Sequence, residues 1–324
     1  MFSKSILDID PAVETERLVN ELRLIVQKRL QRRGGVVGVS GGIDSSVVLA
    51  LAVRAFGPGR VAAISLPEKD SEPESVELAR CVAQHYGVPL IVEDITEALT
   101  GFGCYRRRDE AIRRIFPEYN AQAGYRAKLV LPQNLLEEES LNLFSLTVVA
   151  PDGTEETKYL PLHEYLQVVA ASNFKQRTRM AMLYYHAEKR NYAVIGTGNK
   201  NEHEQGFFVK FGDGGVDVQP ISHLLKTQIY QLAAYLNVPE PIQQRLPTTD
   251  TYSAHQSQEE FFFRIPFDVM DVLWCAQEHK APITEVSEVM ALTPDQIERI
   301  YRDFNRKRRT TDYLRTPPIS LPFD

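Results

Sequence analysis

The stretch Val36-Val37-Gly38-Val39-Ser40-Gly41-Gly42-Ile43-Asp44-Ser45-Ser46 decides how the rest of the chain reads. A β-branched run halts at Ser-Gly-Gly and resumes as Val47-Val48-Leu49-Ala50-Leu51-Ala52. That is the pattern of a buried strand, a tight turn and a helix N-terminus. Gly41 and Gly42 permit the sharp turn and let a ligand approach the main chain. Ser40, Ser45 and Ser46 set hydroxyls beside the N–H groups of the first helical turn, where an anion is welcome. Asp44 would repel phosphate unless a divalent cation lay between them. The local design is a cradle for a magnesium polyphosphate. The plain alternative is a junction at which Asp44 or Ser45 merely caps the helix. Neither a Walker loop nor a Gly-x-Gly-x-x-Gly crossover is present.

Working outward, Pro11 to Gln31 carries apolar residues at helical spacing, and Phe56-Gly57-Pro58-Gly59 stops the helix after the loop. Strands are predicted at Val61–Leu66, Val88–Val92 and Tyr192–Thr197, with a helix over Ser71–Tyr86 and another over Leu166–Lys189. Such alternation predicts an α/β fold, a doubly wound, mostly parallel sheet flanked by helices. Ligands then lie beyond the C-terminal strand ends, where the glycine turn sits. Leu141–Ala150 and Glu155–Leu160 around Pro151-Asp152-Gly153-Thr154 predict a β-hairpin inside an insertion of about residues 104–160. The basic cluster Arg106-Arg107-Arg108 and Arg113-Arg114 fits a solvated helix face as well as a phosphate or interface role. A helical extension of about 255–324 completes one domain spanning 1–324.

A net charge of −6 over 324 residues argues against general nucleic-acid binding. The widely spaced Cys81, Cys104 and Cys275 form neither a disulfide framework nor a zinc site. Together with an N-terminus lacking an apolar signal core and the absence of a long apolar run, they set the expectation of a cytoplasmic protein without membrane contact.

Ser-Gly-Gly-x-Asp-Ser resembles the PP-loop of the ATP pyrophosphatases (adenine nucleotide alpha hydrolase-like), which cleave ATP to AMP and pyrophosphate. Four later motifs narrow the resemblance: Asn173-x-Lys175-x-Arg177-x-Arg179, Gly196-Thr197-Gly198-Asn199-Lys200-Asn201-Glu202, Lys210-Phe211-Gly212-Asp213-Gly214-Gly215-x-Asp217 and Pro220-Ile221-x-x-Leu224-x-Lys226-Thr227-Gln228. Their types and order, from about residue 18 to 250 excluding the insertion, resemble ammonia-dependent NAD synthetase. That family activates the nicotinate carboxylate of deamido-NAD with ATP, forming an acyl adenylate and pyrophosphate. Ammonia then displaces AMP.

The resemblance implies ATP contacts from Gly38, Val39, Ser40, Gly41, Gly42, Ile43, Asp44, Ser45 and Ser46, with Thr197, Lys226 and Thr248. It assigns Asp44 and Glu202 to Mg2+, and Arg177, Lys210, Asp217, Arg306 and Lys307 to deamido-NAD. Asp44 and Lys226 would support adenylation. No covalent nucleophile or general base is required, because ammonia attacks the adenylate directly. Plain alternatives are a solvated helix lysine for Lys226, a surface residue past a strand for Glu202, turn capping for Asp217 and a solvated basic tail for Arg306 and Lys307. Phe261-Phe262-Phe263 stands where the family shows a leucine–glycine step, and is expected in core or interface. The resemblance further implies a homodimer and, with no room for a glutamine amidase domain, free ammonia or a separate glutaminase as donor. Rival functions are another PP-loop enzyme acting on a different carboxylate, an RNA-modifying PP-loop enzyme and a non-catalytic nucleotide-binding protein.

Overall fold

The computed structural model describes residues 2–131, 135–136, 144–248, 252–254 and 256–321. Helix α1 (Pro11–Arg23) starts at Asp10, whose carboxylate accepts from the Ala12 and Val13 N–H groups. Strand β1 (Gly35–Gly38) passes through the glycine turn into α2 (Ile43–Phe56), which ends at Gly57. Then come β2 (Val61–Ser65), α3 (Pro73–His85), β3 (Leu90–Val92), α4 (Thr96–Gly101) and α5 (Cys104–Ile115). Strands β4 (Arg126–Val130), β5 (Ser145–Val149) and β6 (Glu155–Tyr159) precede the long α6 (Leu162–Arg190). Strand β7 (Ala193–Ile195), α7 (Lys200–Gln205) and α8 (Lys226–Tyr235) close the central unit. The C-terminal part holds α9 (Glu240–Gln244), α10 (Phe267–Glu278), α11 (Ile283–Met290), α12 (Pro294–Thr310) and α13 (Asp312–Arg315).

Among the described residues the central sheet runs β3-β2-β1-β7, every pair parallel, with Gly35 opposite both Val61 and Ala193. Period-two alternation sends Val37, Ala63 and Ile195 to the core shared with α1, α2, α3 and α8. Val36, Ile64 and Val194 face the opposite core, with residues of α4, α5 and α6. Both faces are buried, so the expected doubly wound parallel sheet is observed.

The expected hairpin is present as β5 and β6, and Asp152 accepts from the Thr154 N–H in its turn at 2.9 Å. It is one strand short of the real element, since β4 pairs antiparallel with β5 to make a three-stranded sheet. Five residues reading Arg-Ala-Lys-Leu-Val alternate too briefly to announce a strand, and pairing with β5 is what makes them one. Ala127, Leu129, Leu146 and Val148 bury against Ala111 and Ile112 of α5 and Val168 of α6. The expected hairpin segment 141–143, together with Thr249 and residue 255, lies outside the described residues.

The basic cluster divides. Arg106 pairs with Glu110 on the surface and Arg114 with Glu164, whereas Arg108 is only 2% exposed and pairs with Asp70 and Asp109. Among the described residues no helix is long and apolar enough to cross a membrane.

Candidate active site

A cavity of about 1020 Å³ opens at the C-terminal ends of β1, β2 and β7, and the glycine turn forms part of its wall. Gly41 adopts φ +77°, and a Cβ there would stand 2.6 Å from the Ser75 carbonyl oxygen and 2.8 Å from Leu78 Cβ. Glycine is therefore required on two counts, backbone hand and space. The plain capping alternative is not what forms: Gly42 is the N-cap of α2, and no side chain accepts from its first turn. The Ser45 and Ser46 hydroxyls instead donate to the Gly42 carbonyl at 2.9 Å. A helix start without a side-chain cap in a cavity wall is suited to phosphate.

Asp44 lines the cavity in the first turn of α2, and its two oxygens are separately engaged. Oδ2 lies 2.5 Å from Lys226 Nζ, and Oδ1 accepts from Asn199 Nδ2 at 3.0 Å. Asn199 and Glu202 form a capping box at the start of α7. Asn199 Oδ1 accepts from the Glu202 N–H and Glu202 Oε2 from the Asn199 N–H. That box turns Glu202 towards the cavity beside Asp44, so Glu202 is more than a surface residue past a strand. Burial, and then the like charge of Asp44, push the Glu202 carboxyl well above the ordinary carboxylate range.

Lys226 is fully buried, contrary to the solvated-lysine alternative, and stands behind Asp44 instead of lining the cavity itself. Burial pushes its ammonium pKa down, but Asp44 and Glu202 outweigh that and the net displacement is upward. Its backbone N–H donates to Asn201 Oδ1 at 2.9 Å, and Asn201 Nδ2 donates to Asp271 Oδ1 at 2.6 Å. Asp271 also accepts from the Thr227 N–H at 2.8 Å, and burial lifts its carboxyl to about 6. Asn199, Asn201 and Asp271 escaped the sequence reading as functional residues. The available signal was Asp271 itself, a lone acid inside the apolar run Val-Met-Asp-Val-Leu-Trp.

Two carboxylates facing one ammonium leave room for a divalent cation's charge. Among the described residues no group of three or more His, Cys, Asp or Glu gathers as a metal site. Asp44 and Glu202 could supply two hard oxygen donors, a set that fits Mg2+ if phosphate and water complete its shell.

The remaining expected residues fall into three groups. Gly38, Val39, Ser40, Ile43, Ser45, Thr197 and Thr248 all line the cavity, while Gly41 backs onto α3 and Ser46 lies beneath the turn. Arg177, Lys210 and Arg306 also line it. Lys210 Nζ donates to the Tyr313 and Thr316 carbonyls at 2.8 and 2.7 Å, and Arg177 reaches the Lys210 carbonyl at 3.5 Å. Lys307 lines the cavity but is buried, not part of a solvated tail; it pairs with Asp303 at 2.9 Å and donates to the Phe262 carbonyl. Asp217 is not brought into the wall: it accepts from the Val194 N–H at 2.8 Å and from the Tyr184 hydroxyl at 3.1 Å, fastening β7 to α6. Of the aromatic triplet, Phe263 is core as expected, but Phe261 and Phe262 line the cavity.

The family model described as NAD synthase matches residues 14–135 and 134–318, running through the 104–160 stretch and on past residue 250. The NH(3)-dependent NAD(+) synthetase of Mesorhizobium japonicum is 49% identical over 97% of each chain. The protein of the same description from Rhizobium meliloti is 47% identical over 98% of this chain and 94% of its own, and that from Thermotoga maritima 34% over 89% and 92%. Two solved structures share the fold. The NH3-dependent NAD synthetase of Campylobacter jejuni has a TM-score of 0.62 at 22% identity over 97% of this chain and 100% of its own. The NMN synthetase of Francisella tularensis has a TM-score of 0.60 at 21% identity over 98% and 100%.

Proposed function

The chain belongs to the NAD synthase family, and on that premise we propose that it converts deamido-NAD to NAD with ATP and ammonia. The observation that carries this reading is the pair Asp44 and Glu202 on a cavity wall beside the uncapped start of α2, with Lys226 and Asn199 buried directly behind them. In the first step a nicotinate carboxylate oxygen attacks the α-phosphorus of ATP, and the bond to pyrophosphate breaks. In the second, ammonia attacks the acyl carbon, AMP leaves with the bonding pair, and the nitrogen sheds a proton.

The N–H groups opening α2 would receive the polyphosphate, and Thr197 and Thr248 would add hydroxyl contacts. Lys226, preset against Asp44, supplies positive charge where the leaving pyrophosphate accumulates negative charge. Asp44 and Glu202 would hold Mg2+, which when bound neutralises phosphate charge. Arg177, Lys210 and Arg306 are the cationic contacts proposed for the dinucleotide. Lys307 and Asp217, internally bonded, support them from behind. No side chain is asked to become a covalent nucleophile.

The same reading includes a homodimer, for which the exposed Leu162 and Leu166 on α6 offer an apolar strip, and ammonia from solution or from a separate glutaminase. Sedimentation of the purified chain tests the dimer. The reaction is tested with Mg-ATP, ammonium and deamido-NAD, quantifying NAD, AMP and pyrophosphate together, with Asp44→Ala alongside. NAD and AMP rising one to one, and neither in the variant, is the expected result. AMP and pyrophosphate without NAD would move the activity to another carboxylate; no turnover would overturn the reading.

A further inference from the structure

Beside the cavity lies a cluster of buried charges for which the reaction above has no use. The turn Pro67-Glu68-Lys69-Asp70-Ser71, between β2 and α3, carries two acids, and four side chains from two helices grip it. Lys175 of α6, 1% exposed, places Nζ 2.8 Å from Glu68 Oε1 and 2.9 Å from Asp70 Oδ2. Arg108 of α5 pairs with Asp70, and the Tyr105 hydroxyl donates to Glu68 Oε2 at 2.7 Å. Arg179, one helical turn beyond Lys175, donates to the Leu66 carbonyl at 3.2 Å. Buried ion pairs add little net stability over apolar packing of equal volume; what they can specify is position.

The position specified here is that of the nucleotide-facing wall. Leu66, Pro67 and Ser71 line the cavity, and the chain continues directly into the first turn of α3. There the Ser75 carbonyl and Leu78 are the atoms pressed against Gly41 of the phosphate loop. Glu72 and Ser75 also hold Arg245, through Nη2 at 2.7 and 2.9 Å, three residues before Thr248. One rigid turn thus bears on the phosphate loop from behind and on the Thr248 segment from the side.

Resting on the NAD synthetase reading, we propose that Lys175 and Arg108 are positioning residues for the ATP half of the site. They brace the Glu68–Asp70 turn, so that α5, distant from that turn in sequence, serves the nucleotide. Neither touches the reacting atoms.

The test separates the two substrates. Lys175→Met leaves buried acids without one cation, so it is paired with Lys175→Met/Glu68→Gln, which removes one charge of each sign, and with the conservative Lys175→Arg. Each is assayed for NAD formation with ATP and deamido-NAD varied in turn, and melting is followed in parallel. The expected result is a KM for ATP raised about ten-fold or more in the folded double variant, with KM for deamido-NAD within about two-fold and partial recovery in Lys175→Arg. Equal movement of both KM values, or no movement in a folded variant, overturns the proposal. Equilibrium dialysis with Mg-ATP keeps the test independent of turnover. If the unsubstituted chain makes no NAD, the reaction reading fails, and the ratio of ATP dissociation constants still decides the brace by the same ten-fold criterion.

Discussion

Replacing Lys226 by Met keeps most of the unbranched side chain and removes the charge, which isolates the electrostatic role of a fully buried cation behind the cavity wall. Its Nζ lies 2.5 Å from Asp44 Oδ2, and Glu202 is the second acid acting on it. At an effective dielectric of about 20, two unit charges at that separation attract by about 7 kcal/mol. Burying the ammonium costs part of this, and losing one partner of a buried pair typically costs about 3–5 kcal/mol. Asp44 keeps 16% of its side chain exposed towards the cavity, so water relieves some of the unpaired charge and the lower figure applies. We therefore expect Lys226→Met to lose about 3 kcal/mol, seen as a melting point lowered by roughly 4–5 °C without ATP. Asp44→Asn/Lys226→Met should recover more than half of that loss, because the stranded acid is gone. Turnover falls further than stability does. Removing one donor aimed at developing oxyanion charge costs about 10²–10³ in kcat. NAD formation by coupled reduction, beside calorimetry, reads both. A variant melting with the native chain, or one retaining more than about a tenth of native kcat, would refute the assignment of Lys226 as counter-ion and phosphate cation.

Glu202→Gln keeps an oxygen for the Asn199 N–H and so preserves the α7 cap, yet would surrender one of the two carboxylates proposed to hold Mg2+. The Mg2+ concentration giving half-maximal rate should rise about ten-fold or more, read by titrating the assay, and an unchanged requirement would remove Glu202 from the metal. Gly41→Ala forces a side chain into φ +77° and against Ser75, so about 1–3 kcal/mol of stability and most ATP binding should be lost; native calorimetry would contradict the packing argument. Burial pushes the Asp70 carboxyl up, but Lys175 and Arg108 outweigh it and bring the pKa down to about 2. Since the unfolded value is about 3.9, this contribution of about 2 kcal/mol is complete above that pH and is lost as pH falls through about 2. Asp70→Asn should flatten the acid limb of the stability curve there, and an unaltered limb would count against the pair.

What the sequence made legible follows the range of the interactions involved. The glycine turn, the strands beside it and the Asp-Gly hairpin announce themselves because backbone hand, local alternation and helix start are settled within a few residues. Asp44 was readable for the same reason. Lys226 was reached only through the family motif, since nothing in Leu225-Lys226-Thr227-Gln228 by itself separates a solvated helix start from one aimed at a carboxylate 182 residues away. Arg108 was hidden in another way. It stands among five arginines of one short helix, four of which behave as a charged face would, and only the Glu68–Asp70 turn singles it out. Strand β4 likewise needed β5 to become a strand.

The polar residues that stand behind the site share a feature that bears on how it works. Lys226, Asn201 and Asp271 on one side, and Lys175, Arg108 and Asp70 on the other, are buried polar groups whose partners lie far off in the chain. Buried polar groups of this kind are tolerable only when fully bonded, so each set permits few alternative arrangements of the backbone it joins. The first set fixes α8 against α7 and α10 behind the carboxylates; the second fixes the β2–α3 turn behind the phosphate loop. Between them stands a helix start with no side chain to satisfy it, free to bond a ligand because its surroundings cannot collapse onto it. A polyphosphate entering this cavity meets groups already in place, and the ordering cost that would otherwise be drawn from binding has been met in folding.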